Sequence, residues 1–255
     1  MNAPAGSDSI LQASPRSATR LGVLGAPPVE KRRRIARYAL RVVNDARPVP
    51  SNRTPDILIR LRAATNEFHR DAESALNLPA SIAGKADYIR LLRTLWSFYR
   101  PLEARLDAIE GLAGALPDWP ARHKSQLLAA DLASLGAGLP HENRATNAAL
   151  AGVDDLAAAF GALYVIEGAT LGGAIVGPSI RATLAGADDA FAFYGCYGAQ
   201  IGPRWREFIA ALALEAGEPD ARDEIVAAAR LTFATFLAHF SRESGSASAQ
   251  SEPPA

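Results

Sequence analysis

The stretch FGALYVIEGATLGGAIVGPSI, residues 160–180, decides how the chain is read. Its apolar positions recur with a helical period, yet Gly161, Gly168, Gly172, Gly173 and Gly177 all fall inside it. A glycine in a helix interior costs about 1 kcal/mol relative to alanine, so a cluster of them needs a reason. At about 100° per residue, Gly161, Gly168 and Gly172 share a face and leave a strip without side chains. Such a strip lets something approach the backbone closely, and clustered glycines also permit a kink. Three readings are open at this point: a ligand laid on the bare face, a neighbouring helix packed tightly against it, or a loop broken at Gly172 and Gly173.

Outward from this stretch, almost every segment between residues 53 and 241 repeats its apolar positions with the same 3.6-residue period. The alternating Val, Ile, Thr and aromatic runs that predict strands are missing, so the fold class is all-α, a single helical domain over 53–241. Helices are expected at 56–76, 85–110, 118–135, 153–184, 188–216 and 219–240. Thr54 is the expected cap of the first, with Pro55 at its first helical position. Asp220, Asp223 and Glu224 suit the start of the last, where the helix dipole favours negative charge. Residues 1–52, rich in Ala, Pro, Ser and Arg with a basic helical candidate at 30–45, read as a disordered extension, and residues 242–255 as a disordered tail.

Composition narrows the function classes. The 255 residues carry 27 basic and 27 acidic side chains, a balance that removes any chain-wide argument for nucleic acid. With 49% hydrophobic residues the chain can bury a sizeable core as an ordinary globular protein. Cys196 is the single cysteine, which excludes an internal disulfide and a cysteine-cluster metal site. Nothing near it would favour a thiolate, so it reads as a packing residue. The apolar runs are broken by charged residues before the roughly 20 residues of a membrane span, and the first residues lack a secretory pattern. A cytoplasmic protein is expected.

Only four histidines, at 69, 123, 141 and 239, can serve a catalytic centre. On the first core helix Ile57, Leu61, Ala64, Phe68, Ala72 and Leu76 form the expected buried stripe. His69 falls on its shoulder, about 80° from Leu61, with Arg62 and Glu73 projecting close to the same side. A half-buried imidazole there could reach a metal held against the helix, with Glu73 one turn on to orient it. It could equally be a satisfied core histidine.

Here the sequence resembles a known family. LRAATNEFHRDAE, residues 61–73, is similar to the proximal helix of haem oxygenases, and YVIEGATLGG, residues 164–173, looks like their glycine-rich distal helix. The distal stretch is most similar to the bacterial branch associated with bacteriophytochromes, as is FYGCYGAQIGPRWREF, residues 193–208. The resemblance implies a helical fold that holds haem between the two helices. It makes His69 the axial iron ligand and Arg62 a partner for a haem propionate, beside the Glu73 that spacing already sets one turn from His69. Gly168, Gly172 and Gly173 would line the distal face, Arg204 and Arg206 would supply further propionate contacts, and Phe233 would lie near the porphyrin. One departure stands out: Ala169 occupies the position of an Asp that organises distal water in the mammalian-type motif.

The activity implied is cleavage of haem, both cofactor and substrate, by dioxygen to biliverdin, carbon monoxide and ferrous iron. The chain has no dinucleotide fingerprint and no cysteine set for an iron–sulfur cluster, so electrons would come from a ferredoxin or a flavin reductase. A bacteriophytochrome could receive the biliverdin. A non-catalytic haem carrier on the same fold is the alternative, encouraged by Ala169. A non-haem di-iron enzyme would need inward Glu-x-x-His pairs, which Glu73 and Glu167 do not form.

Overall fold

The computed structural model describes residues 54–249 apart from 142, 185, 188 and 218. The expected extension at 1–52 and the last residues of the expected tail lie outside the described residues. The first helix, α1 (Asp56–Leu76), spans the expected residues. Pro55, with ψ 137°, takes the cap position in place of Thr54, and its carbonyl accepts from Leu58 N at 2.9 Å. The helix stops at Asn77, whose φ of 45° lets its N–H bond back to Glu73 O, a geometry that Asn tolerates better than most residues. There follow α2 (Lys85–Asp107), α3 (Leu112–Ala115), α4 (Ser125–Ser134), α5 (Arg144–Ala149), α6 (Leu156–Thr183), α7 (Ile201–Glu215) and α8 (Pro219–Ala249). Single 3-10 turns lie at Trp119–Arg122, Leu150–Gly152 and Gly198–Gln200, and no strand occurs among the described residues.

Four expected boundaries are corrected. The helix expected at 85–110 ends at Asp107. The one expected at 118–135 is broken at His123, which is extended, so that α4 starts only at Ser125. Buried Glu103 explains the break: its carboxylate accepts from Lys124 N at 2.5 Å and Ser125 N at 3.1 Å, satisfying the first free amides of α4. The helix expected at 188–216 begins at Ile201; Asp188 itself is not among the described residues. Ahead of α7, the Asp131 carboxylate accepts from Ala192 N at 2.7 Å and Phe193 N at 2.9 Å, holding the chain in turns. The last helix passes 241 and runs to Ala249, correcting the tail boundary there. Glu243 accepts from Asn143 at 2.9 Å and Arg242 donates to Thr146 at 3.2 Å, so α5 anchors a polar turn that could not bury itself.

Glycine-rich α6 is continuous from Leu156 to Thr183, so the reading of a break at Gly172 and Gly173 falls. Asp155 starts it by accepting from Ala158 N at 2.7 Å. At 28 residues it is also long and apolar enough to cross a membrane by length and composition, contrary to expectation. Half of that apolar stretch is buried among the other helices, and Glu167 sits in its middle in buried ion pairs, as befits a core helix.

α8 is the platform of the fold. α1 lies on it through Phe68, stacked on Phe233 at 6.3 Å, and through Arg230, which covers the Phe68 ring and donates to Ala64 O at 3.1 Å. α6 lies on it through Gly161, and α2 through Phe98 against Phe236 at 5.2 Å. Both α1 and α6 are thus held by one helix, and what lies between them depends on where each leaves it.

Candidate functional site

Of the stripe expected on α1, Ile57, Leu61 and Ala72 are buried, Ala64, Phe68 and Leu76 are half-buried, and Leu58 and Thr65 are buried in addition. His69 lies just past the edge covered by α8 and is exposed, its side chain 56% accessible. That corrects the half-buried expectation and removes the satisfied-core reading. Its Nδ1 is 3.7 Å from Glu73 Oε2, and its ring meets the edge of Phe233 at 6.4 Å. Among the described residues, no protein group bonds its remaining nitrogen, Nε2.

One turn earlier, α1 touches α6. The side chain of Thr65, which donates to Leu61 O at 2.7 Å, faces the Tyr164 phenol, as does that of Arg62. Burial pushes the Tyr164 phenol above its ordinary value, while Thr65 and Arg62 oppose the rise. Burial likewise lowers Arg62, partly offset by Tyr164. A half-buried guanidinium beside a phenol is an arrangement that can receive a carboxylate.

Tyr164 precedes Gly168 by four residues, so the two share a face of α6. A Cβ built at Gly168 or Gly172 would meet nothing within 4 Å. At Gly161 it would come within 2.3 Å of Ile225 O, at Gly177 within 3.0 Å of Tyr194, and at Gly173 within 3.5 Å of the Tyr194 ring. The glycines therefore divide. Gly161 and Gly177 admit neighbours, whereas Gly168 and Gly172 border open space. Tight packing against a neighbouring helix is realised at Gly161, while Gly168 and Gly172 leave bare the face that a ligand would need.

Arg204 does not join this group. It donates to Ala121 O at 3.0 Å, lies 3.6 Å from Asp118 and covers the Tyr197 ring at 4.7 Å. Arg206 is exposed and folds back along α7 toward Gly202. His239 is buried between Thr94 O at 2.9 Å and Thr146 Oγ1 at 2.7 Å, His123 lies 2.9 Å from Asp107, and His141 is exposed. Among the described residues no three His, Cys, Asp or Glu side chains gather as a metal-ligand group. Burial raises the Cys196 thiol, in keeping with a packing residue.

Two features escaped the sequence reading. Tyr164 could have been found, since it lies four residues before Gly168. The buried ion pairs of Glu167 could not: Arg122 donates to it at 2.6 Å and Lys124 at 2.6 Å, from positions 45 and 43 residues away.

The family described as Heme oxygenase matches residues 56–242, and the chain belongs to that family. It is similar to "Heme oxygenase PigA" of Pseudomonas aeruginosa, 32% identical over 117 residues, which are 46% of this chain and 57% of the relative. The chain thus spans little more than half of that relative's length. Its fold is similar to a heme oxygenase of Neisseria meningitidis solved with NO and CO bound, with TM-score 0.59 and 22% identity over 73% of this chain and 90% of the other.

Proposed function

We propose that the chain degrades haem, cleaving the macrocycle with dioxygen and externally supplied electrons to biliverdin, carbon monoxide and ferrous iron. The observation that carries this reading is the open space over Gly168 and Gly172, one turn from the contact of Tyr164 with Thr65. A flat aromatic ring entering there would meet backbone on one side, and on the other the exposed imidazole of His69, one turn beyond Thr65. Bound haem supplies the iron at which dioxygen is reduced and the ring that is oxidised.

The chain's own residues then orient and exclude. Glu73 faces Nδ1 of His69, which leaves Nε2 to hold the iron. Phe233 buttresses the imidazole edge. Arg62 and Tyr164 receive one propionate, and Arg206, exposed on α7, is the second cationic candidate. Gly168 and Gly172 keep the distal side bare of side chains, leaving room for the small oxidant, and Gly173 of the same turn rests against the Tyr194 ring. Ala169 carries no polar atom, and the Thr170 hydroxyl is committed to Ile166 O at 3.0 Å. Protons on that side therefore travel through water ordered by backbone groups. The electron donor in this reading is a ferredoxin or flavin reductase, and the biliverdin goes to a bacteriophytochrome, by analogy with the branch whose motif the distal helix resembles. The cytoplasm is the compartment that fits.

The test is an absorption time course of the protein with one equivalent of haemin, before and after a ferredoxin reducing system or ascorbate is added in air. The Soret band is expected to form and then decay as a broad red biliverdin absorption grows. A Soret band that persists under reduction would make the chain a haem carrier, and none at all would remove the haem reading.

A further inference from the structure

Behind the glycine strip the fold buries Arg122, Lys124, Glu103 and Glu167, each at 2% exposure or less. Nothing in the haem reading above uses them, yet taking charges out of water is costly unless their hydrogen bonds are complete. Here they are. Glu167 Oε2 accepts from Arg122 Nη1 at 2.6 Å, and Oε1 accepts from Lys124 Nζ at 2.6 Å and the Tyr197 hydroxyl at 2.9 Å. Lys124 Nζ also donates to Tyr197 at 3.0 Å and to Arg122 O at 3.1 Å. Arg122 spends its other donors on Asp118 at 2.8 Å and Arg204 O at 3.1 Å. Burial alone would lower Arg122, but Asp118 and Glu167 outweigh it and hold the guanidinium above its ordinary value.

The position of the acceptor is what matters. Glu167 immediately precedes Gly168, about 100° round the helix from it and about 140° from Gly172. Beyond it α6 continues through Gly172, Gly173, Gly177 and Pro178, poor helix formers that give few side chains to fix the turn of the helix. An apolar contact tolerates a small rotation. A carboxylate gripped on both oxygens by three donors does not, because the donors come from the turn after α3, the residue before α4 and the loop before α7.

We propose that Glu167, held by Arg122, Lys124 and Tyr197, is a positioning residue that fixes the rotation of α6 and so decides which part of the haem ring Gly168 and Gly172 press on. This rests on the reading that the strip faces haem. The site of ring opening is thereby tied to a buried ionic lock about 100–140° round the distal helix from the strip.

The experiment compares the full chain with Glu167→Gln, Tyr197→Phe, His239→Gln and Gly172→Leu. In haem-free protein, Glu167→Gln should speed amide exchange about tenfold at 168–174 and leave 157–163, held by α8, unchanged. With haemin, its affinity should stay within about threefold of the parent, while kcat falls about tenfold at constant KM and a second biliverdin isomer forms. Tyr197→Phe should shift the same readouts by about two- to threefold, and it carries the test if Glu167→Gln does not fold. His239→Gln, which loosens the contact of α8 with α2 and α5 without touching Glu167 or its three donors, should lower the unfolding temperature and leave both exchange at 168–174 and the isomer pattern as they were. Parental exchange and a single parental isomer in Glu167→Gln would overturn the proposal, as would equal scrambling in His239→Gln. Full turnover in Gly172→Leu would instead sink the reading of the strip, while the exchange data still decide the lock.

Discussion

A methyl group added at Gly161 would stand 2.3 Å from the Ile225 carbonyl oxygen, whereas one added at Gly168 or Gly172, on the same side of the same helix, would meet nothing within 4 Å. The residue type, the local conformation and the helix face are common to all three. What differs is the neighbour. At Gly161 the helix crosses α8 closely enough that only hydrogen fits, and by Gly168 the two have parted and α6 borders the open side of α1. A run of glycines in one helix therefore encodes two different things, a close helix crossing and a shallow wall, and spacing alone does not separate them.

The largest test of that contrast is Gly161→Ala. Forcing a side chain against a backbone carbonyl should cost about 3 kcal/mol or more, read as a drop in the denaturation midpoint, and a change under about 1 kcal/mol would mean the crossing is looser than it stands here. Gly172→Leu strains the other side: the protein should fold as well as the parent but lose haem turnover, and retained turnover would detach the strip from the substrate. His69→Ala should weaken haem binding and abolish the imidazole-ligated spectrum, and an unchanged spectrum would move the iron ligand elsewhere. Gly168→Ala should raise stability by up to about 1 kcal/mol, since the helix gains a better former and nothing is displaced; a loss would show that the space is filled.

A milder probe of the packed side is pH. His239 on α8 donates from Nε2 to Thr94 O, which cannot donate, so Nδ1 accepts from Thr146. Burial holds its pKa below the ordinary 6.5; Glu243 and the Thr94 carbonyl oppose the shift and Arg242 adds to it. The unfolded chain binds the proton more readily, so this contribution is complete above pH 6.5 and is lost as pH falls toward the lowered value. Unfolding followed from pH 7 to 5 should show the decline, and His239→Gln should flatten it.

Periodicity made much of this legible. The all-helical class, the full extent of α1 and the placing of Glu73 one turn beyond His69 are all written in local spacing. The misreadings share a cause. His123 breaks a helix because Glu103, 20 residues earlier, caps the next one, and the turns before α7 answer to Asp131, over 60 residues away. The resemblance offers Arg204 as a substrate contact, and in the structure it covers the Tyr197 ring and donates to Ala121 O. Periodicity carries no record of such distant acceptors.

The sequence by itself determined which residues could serve: one histidine on the shoulder of the first helix, a strip of glycines on another, and an arginine a turn or two from the histidine. Those properties are local, set by 3.6 residues per turn and by the absence of a Cβ. Only the tertiary structure decided that Gly161 packs while Gly168 and Gly172 stay bare, that His69 is left exposed beyond the edge of α8, and that Glu167 is gripped from behind. Each of these depends on where a second helix arrives or departs, and that is fixed by the summed packing of the whole chain, which no short stretch contains.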